Sequence, residues 1–333
     1  MKLRKEKFDD FVAALGKQNL YAPQKKGETL VFAPVETGSS LPEFSNTTVP
    51  PKNIVYPQTE TLYCFQAGET DISLPEGDEE KVVFGVRPCD ARAMALVDSL
   101  FSWDVDDPYY LEKRAKTTLV GFACNEPDIN CFCTSVGGGP ASTEGLDVLV
   151  TDLGETYLLQ SLTEKGEKLC QSMEELLEKA EEDDLQAADK LHEEARQKIT
   201  REINTEGIPN KLLELWESGL WSEISEPCLG CGICTYLCPT CYCFDIQDEV
   251  EGSDGRRCRM WDSCMFGEYT LHASGHNPRP SNRERTRNRV NHKYSYFVEK
   301  FGKIACVGCG RCINLCPVNI DILNILTKVK EAL

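Results

Sequence analysis

The 333-residue chain has no G-x-G-x-x-G placed between a strand and a helix, so no nicotinamide site is visible in it. It has no P-loop and no evident nucleophile paired with a base, which leaves nucleotide hydrolysis and acyl transfer without an anchor. No uninterrupted apolar run is long enough to cross a bilayer. Nothing near Met1 resembles a secretion signal, so a soluble, reducing, cytoplasmic setting is expected. Positive charge is scarce: 36 Lys and Arg against 54 Asp and Glu give a formal net charge of −18, which argues against general nucleic-acid binding. Gly137, Gly138 and Gly139 before Pro140 read as a loop and signal nothing further.

What the chain has in abundance is cysteine, eighteen in all. Eight fall in two copies of one spacing. Cys228, Cys231, Cys234 and Cys238 precede Pro239; Cys306, Cys309, Cys312 and Cys316 precede Pro317. Each is C-x₂-C-x₂-C-x₃-C-P, the bacterial ferredoxin run for cubane 4Fe–4S clusters. Two-residue gaps let three thiolates curl round one compact cluster, and Gly230, Gly232, Gly308 and Gly310 tolerate the partly left-handed backbone this needs. The fourth cysteine points away and serves the other cluster. The spacing therefore predicts one cluster on Cys228, Cys231, Cys234 and Cys316, and a second on Cys306, Cys309, Cys312 and Cys238. Disulfides are disfavoured in a reducing compartment, and structural zinc takes paired arms from separate places rather than three cysteines within seven residues.

Residues 1–160 read as an α/β domain, with strands expected at Leu30–Val35, Thr61–Phe65, Val82–Val86, Leu119–Ala123, Val148–Asp152 and Thr156–Gln160. Ala91–Phe101, apolar at helical spacing, makes a βαβ unit with the strands on either side. Leu153-Gly154-Glu155 turns a hairpin. Met1 to Leu15 reads as a surface helix, and Pro34–Pro57 as a long loop. Residues 161–226 read as a helical connector, with stripes at Leu169–Ala180, at Ala188–Ile203 and from Lys211; Cys170 falls on the first and reads as core. Residues 227–333 hold both cysteine runs in a ferredoxin-like α+β domain, with an insertion from Thr240 to Ala305. That insertion carries Arg279, Arg283, Arg285, Arg287, Arg289 and Lys293 beside His276 and His292. In so acidic a chain, charge compensation near anionic clusters or partner docking outweighs nucleic acid, and cations there would raise cluster potentials.

Ten cysteines lie outside the two runs. The strand Val82–Val86 runs into Cys89 at the head of a helix, and Leu119–Ala123 runs into Cys124. Parallel neighbours would place both at one carboxyl edge, where α/β sheets hold ligands. Cys131 and Cys133 follow in a short loop that could fold over that edge, giving a candidate third cluster. Two alternatives stand beside it. These cysteines could be small buried core residues, or the extra site could lie among Cys241, Cys243, Cys258 and Cys264 or mix the two sets.

The phrases Phe84-Gly85-Val86-Arg87-Pro88-Cys89-Asp90-Ala91-Arg92, Asp107-Pro108-Tyr109-Tyr110, Cys131-Phe132-Cys133 and Thr151-Asp152-Leu153-Gly154 resemble N-terminal signatures of a known family. So do Cys238-Pro239-Thr240-Cys241-Tyr242-Cys243-Phe244-Asp245, Trp261-Asp262-Ser263-Cys264 and Gly275-His276-Asn277-Pro278-Arg279-Pro280. The resemblance, along nearly the whole length, is to the 4Fe–4S dicluster β-subunit family. That family includes β subunits of soluble sulfhydrogenases (NAD(P)-linked hydrogenases) and one of the subunits of anaerobic sulfite reductase; similar subunits accompany heterodisulfide-reductase-type complexes. It implies an electron-transfer subunit, usually beside a flavoprotein that carries FAD, a nicotinamide site and a 2Fe–2S cluster. β subunits of deazaflavin-reducing hydrogenases are also similar at the N-terminal cysteines, where they hold a cluster.

The expected function is thus a cytoplasmic electron-transfer subunit, itself non-catalytic, that relays single electrons through its 4Fe–4S clusters. It would stand between a FAD- and NAD(P)-binding partner and a terminal catalytic subunit. An enzyme-class alternative makes the surplus cysteines a thiol- or disulfide-reducing site. A binding-module alternative makes the chain a zinc protein that uses its basic insertion on nucleic acid.

Overall fold

The computed structural model of the protein describes residues 1–36, 41 and 46–332. Its strands are β1 (Lys2–Arg4), β2 (Leu20–Lys26), β3 (Thr29–Pro34), β4 (Thr59–Gln66), β5 (Ile72–Ser73), β6 (Lys81–Val86), β7 (Thr117–Phe122), β8 (Val148–Asp152), β9 (Thr156–Ser161), β10 (Phe244–Glu251) and β11 (Asp254–Trp261). A seven-stranded sheet runs in the order β1-β9-β8-β7-β6-β2-β3. Its centre, β2, β6, β7 and β8, is parallel, and antiparallel strands close both sides. Every residue of β6 is buried, as fits a central strand covered on both faces.

One face of the sheet is covered by α1 (Phe8–Leu15), which buries Phe11, Val12 and Leu15 against Val82, Phe84, Val120 and Val150. The first fifteen residues are therefore not one surface helix. Residues 2–4 form an edge strand on β9, and the helical spacing that follows faces the core. On the opposite face two crossover helices, α2 (Pro88–Phe101) and α3 (Pro108–Ala115), join β6 to β7. Pro88 opens α2 in the first turn, where a missing N–H is harmless. Asp107 caps α3 by accepting the Tyr110 N–H at 2.9 Å. Val83, Val86, Ala91, Met94, Val97, Leu119 and Leu149 form the core between sheet and helices.

The expected strand at Thr61–Phe65 exists but lies outside that sheet. As β4 it pairs with β11 in a second, four-stranded antiparallel sheet of order β10-β11-β4-β5. This sheet joins residues of the first segment to the insertion between the cysteine runs. A buried Arg259–Glu60 ion pair and the Tyr56–Trp261 ring stack fasten the join. Of the expected loop Pro34–Pro57, residues 37–40 and 42–45 lie outside the described residues; Pro51–Ile54 is a 3₁₀ turn.

The connector forms α4 (Glu164–Gln171), α5 (Glu182–Gln197), α6 (Ile208–Glu214) and α7 (Leu220–Ser225). The stripe expected through Ala180 breaks after Gln171, and Leu177 is extended; Lys2 and Glu178 exchange backbone hydrogen bonds of 2.8 Å at the sheet edge. Cys170 is buried in the core, as its place on the stripe predicted. The last third adds α8 (Ile233–Tyr236), α9 (Asn282–Asn291), a π turn at His292–Tyr296, α10 (Phe297–Phe301), α11 (Arg311–Asn314) and α12 (Ile322–Glu331). Their core mixes Leu212, Trp221, Tyr294, Ile325 and Leu326 with Phe132 and Val136 from the loop after β7. Each such side chain taken out of water stabilises the fold by about 1.5–3 kcal/mol. No helix among the described residues is long and apolar enough to cross a membrane.

Candidate metal centres

The two cysteine runs adopt the same local structure. Gly230 and Gly308 sit at φ +66° and +63°, Gly232 and Gly310 at +77° and +74°. These left-handed turns, natural to glycine, lead into the one-turn helices α8 and α11, which pack on each other. All eighteen cysteines are free thiols.

One cavity is walled by Cys228, Cys231, Cys234 and Cys316, and Cys312 and Arg289 line it as well. The Gly230 N–H donates to Cys228 Sγ at 3.4 Å and the Ile320 N–H to Cys316 Sγ at 3.2 Å. Such bonds stabilise charge on sulfur. Cys238 does not line this cavity; burial raises the pKa of Cys309 and Cys312, and Cys238 stands close enough to add to both, while remaining near Cys234. The chain thus brings the fourth cysteine of each run toward the other run. Among the described residues no three Cys, His, Asp or Glu side chains converge at single-ion distance. The thiols surround a space instead, and that suits a polynuclear cluster better than one zinc.

Three cations are buried beside these thiols: Lys293 at 4% exposure, Arg289 at 6% and Lys52 at 6%. Among the described residues none has a carboxylate partner. Lys293 Nζ donates to Cys238 Sγ at 3.2 Å, to Thr240 Oγ1 at 3.0 Å and to the Ala305 carbonyl at 3.1 Å. Arg289 donates to the Cys234 carbonyl at 3.2 Å. Lys52 donates to the Cys241 carbonyl at 2.9 Å and rests over the Trp261 ring. Burial lowers its pKa to about 8. A buried cation is tolerated only near negative charge, so the surroundings fit an anionic iron–sulfur group on the thiolates.

The expected basic stretch divides by position. Arg289 and Lys293, four residues apart, face the cysteines. Arg283 instead bonds Glu284 at 3.2 Å and approaches Glu217 at the surface, Arg285 donates to the Arg279 carbonyl, and Arg287 lies over the Trp216 ring. His276 is exposed. His292 bonds the Tyr242 hydroxyl at 2.7 Å, and burial, aided by Lys293, lowers it to about 4, so it is neutral.

A second cavity is walled by Cys89, Cys124, Cys131 and Cys133 together with Gly308 and Cys309. β6 and β7 are parallel neighbours and deliver Cys89 and Cys124 to one edge; the loop bearing Cys131 and Cys133 folds over it. Burial pushes the Cys131 thiol up to about 12 and Cys133 to about 11. Bare thiols here are neutral, and a bound metal would ionise them outright. The cavity adjoins the second run directly: the Phe132 N–H donates to the Gly308 carbonyl at 2.9 Å. Alongside, Arg311 forms a buried two-pronged pair with Asp90 at 2.6 and 2.7 Å. Cys258, on β11, is buried beside Thr61 of β4.

Sequence reasoning did not single out Asp90, Arg311 or Lys52. The first two sit next to cysteines and could have been noticed there; Lys52 lies in an irregular segment that carries no signal.

The family described as "4Fe-4S dicluster domain" matches residues 227–320. Sulfhydrogenase 2 subunit beta of Pyrococcus furiosus is 32% identical over 336 residues, covering 100% of this chain and 99% of that protein. No solved structure matches the chain significantly. The last third is therefore a two-cluster 4Fe–4S domain, and an α/β region precedes it.

Proposed function

The chain belongs to the 4Fe–4S dicluster β-subunit family, whose members serve oxidoreductase complexes as non-catalytic electron carriers, and on that premise we propose a specific wiring for it. Cys228, Cys231, Cys234 and Cys316 hold one cubane, and Cys306, Cys309, Cys312 and Cys238 the other. Cys89, Cys124, Cys131 and Cys133 hold a third. Bound there, the clusters supply one-electron transfer at low reorganisation. The chain's own residues set its conditions: Lys293 and Arg289 hold positive charge against the ligand sulfurs, backbone N–H groups bond them, and the apolar walls exclude water. Electrons pass between a flavoprotein partner, which carries FAD, a nicotinamide site and a 2Fe–2S cluster, and a terminal catalytic subunit, in the cytoplasm. The observation that carries this reading is that the N-terminal thiols Cys89, Cys124, Cys131 and Cys133 wall one cavity together with Gly308 and Cys309 of the second run, while buried cations without carboxylate partners among the described residues stand beside the cysteine runs.

Iron analysis of anaerobically purified protein tests it. Three cubanes give about twelve irons per chain and two give about eight. Replacing Cys89 and Cys124 together should remove about four. A count near eight that this replacement leaves unchanged rejects the third cluster. The isolated chain should not oxidise NADH or NADPH, and its clusters should become reducible by them once the flavoprotein is added. Reduction by nicotinamide without flavin would reject the partnership.

A further inference from the structure

Cys241, Cys243 and Cys264 belong to neither cavity, yet they lie together beside the second run. Cys241 follows Cys238 through a turn in which its N–H donates to the Cys238 carbonyl at 3.2 Å, and the two thiols are hydrogen-bonded to each other. Cys243 stands at the foot of β10, and Cys264 just beyond the foot of β11. Past the Phe244–Trp261 pair the ladder continues, the Asp262 N–H donating to the Cys243 carbonyl at 2.9 Å. That closure brings the Cys243 and Cys264 thiols into hydrogen-bond contact, and the Tyr269 hydroxyl donates to Cys243 as well.

In the two cavities thiols face a shared space. Here they touch in pairs, the arrangement of a disulfide couple rather than of a cluster. Cys243 is half-buried and Cys264 buried. The bond from Cys264, joined by that from Tyr269, outweighs burial and holds the Cys243 thiol at about 6, while Cys264 is pushed up. At neutral pH Cys243 is thus a thiolate, the form that attacks sulfur, with a resolving thiol in contact.

We infer that Cys243 and Cys264 form a dithiol/disulfide couple that exchanges two electrons with the neighbouring one-electron wire, Cys241 bridging the pair to Cys238. The inference rests on the cluster assigned to Cys306, Cys309, Cys312 and Cys238. On oxidation the Cys264 thiol loses its one proton to solvent, the two sulfurs together give up two electrons, which leave singly into the clusters, and one S–S bond forms. On reduction two electrons return singly, the S–S bond breaks, Cys264 takes up one proton and Cys243 is left as the thiolate. The chain then stores a pair of electrons where a two-electron donor meets one-electron carriers.

The test uses the complex purified anaerobically with its clusters. One sample is poised oxidised, another reduced with dithionite and a viologen mediator; both are alkylated, digested and mapped by mass spectrometry. The oxidised sample should contain a Cys243–Cys264 linked peptide and the reduced sample both alkylated thiols. A reductive titration should take up two electrons per chain beyond those counted in the clusters by EPR and in the partner's flavin by its absorbance. Cys243→Ser and Cys264→Ser should each lose that excess with iron content unchanged. Two alkylated thiols in the oxidised wild-type sample, which needs no variant, overturn the inference. So does loss of iron from either variant, which would make these sulfurs cluster ligands. Wild-type protein without iron overturns the cluster reading itself, a result distinct from either.

Discussion

The two cysteine runs share one spacing and one backbone path, yet their surroundings differ position by position. Leu229 of the first is 66% exposed, and its counterpart in the second, Val307, is 3% exposed. Cys231 is exposed and Cys309 is not. Ile233 of the first corresponds to Arg311 of the second, whose guanidinium is locked onto Asp90 of the N-terminal region. A side chain added at Gly230 would meet the Asn282 amide oxygen at 3.2 Å; one added at Gly308 would meet the Cys133 backbone nitrogen at 2.5 Å. The ferredoxin spacing specifies how thiolates are presented, and the intervening residues specify what the cluster faces. The first run faces solvent and so offers an approach for a redox partner. The second faces the rest of the chain and suits the middle of a wire.

Breaking the anchor should have the largest effect. Asp90→Ala leaves the Arg311 charge buried without its partner, and we expect a loss of about 3–5 kcal/mol in anaerobic denaturant unfolding. A loss under about 1 kcal/mol would mean that the second run is held no more firmly than the first. The glycine pair sharpens the contrast. Gly230→Ala and Gly308→Ala both force a left-handed alanine, at about 1–2 kcal/mol. Only the second also drives a methyl into rigid backbone, so its thermal midpoint should fall at least twice as far. Equal shifts would remove the distinction.

A smaller effect, electronic rather than structural, is expected at Lys293. Lys293→Gln withdraws positive charge 3.2 Å from Cys238 Sγ. By EPR-monitored titration the potential of the cluster that Cys238 serves should drop, and that of the first run's cluster should move less. A larger shift in the first run's cluster would overturn the crossed assignment of Cys238. The smallest effect is expected at the surface. Leu229→Ser should leave stability within about 0.5 kcal/mol while slowing electron exchange with the partner in stopped-flow mixing. Val307→Ser should show the reverse, a clear loss of stability.

Much of the fold is legible from the chain alone. Six strands, the hairpin at Leu153–Glu155 and the βαβ unit around α2 follow from alternation and turn residues. The meeting of Cys89 and Cys124 at one edge follows from parallel pairing alone. β10 is not legible. Every residue of Phe244–Glu251 is exposed, so Asp245, Asp248, Glu249 and Glu251 show no alternation to read. The strand exists because β11 pairs with it and also with β4, a partner far away in sequence. Residues 2–4 escape notice because a three-residue edge strand has no period. The stripe from Leu169 to Ala180 misleads for a different reason: apolar spacing continues where the chain has already turned at Ser172 to reach the sheet edge.

The hydrogen bond from Phe132 to Gly308 also sets an order of events in the life of the chain. The loop that bears Cys131 and Cys133 is complete early in synthesis, but its backbone partner is among the last residues made. β4 likewise waits for β11. During translation the early thiols therefore stand without their cover, and contacts this distant in sequence form slowly. A metal bound by the four N-terminal thiols would enter only after synthesis is complete.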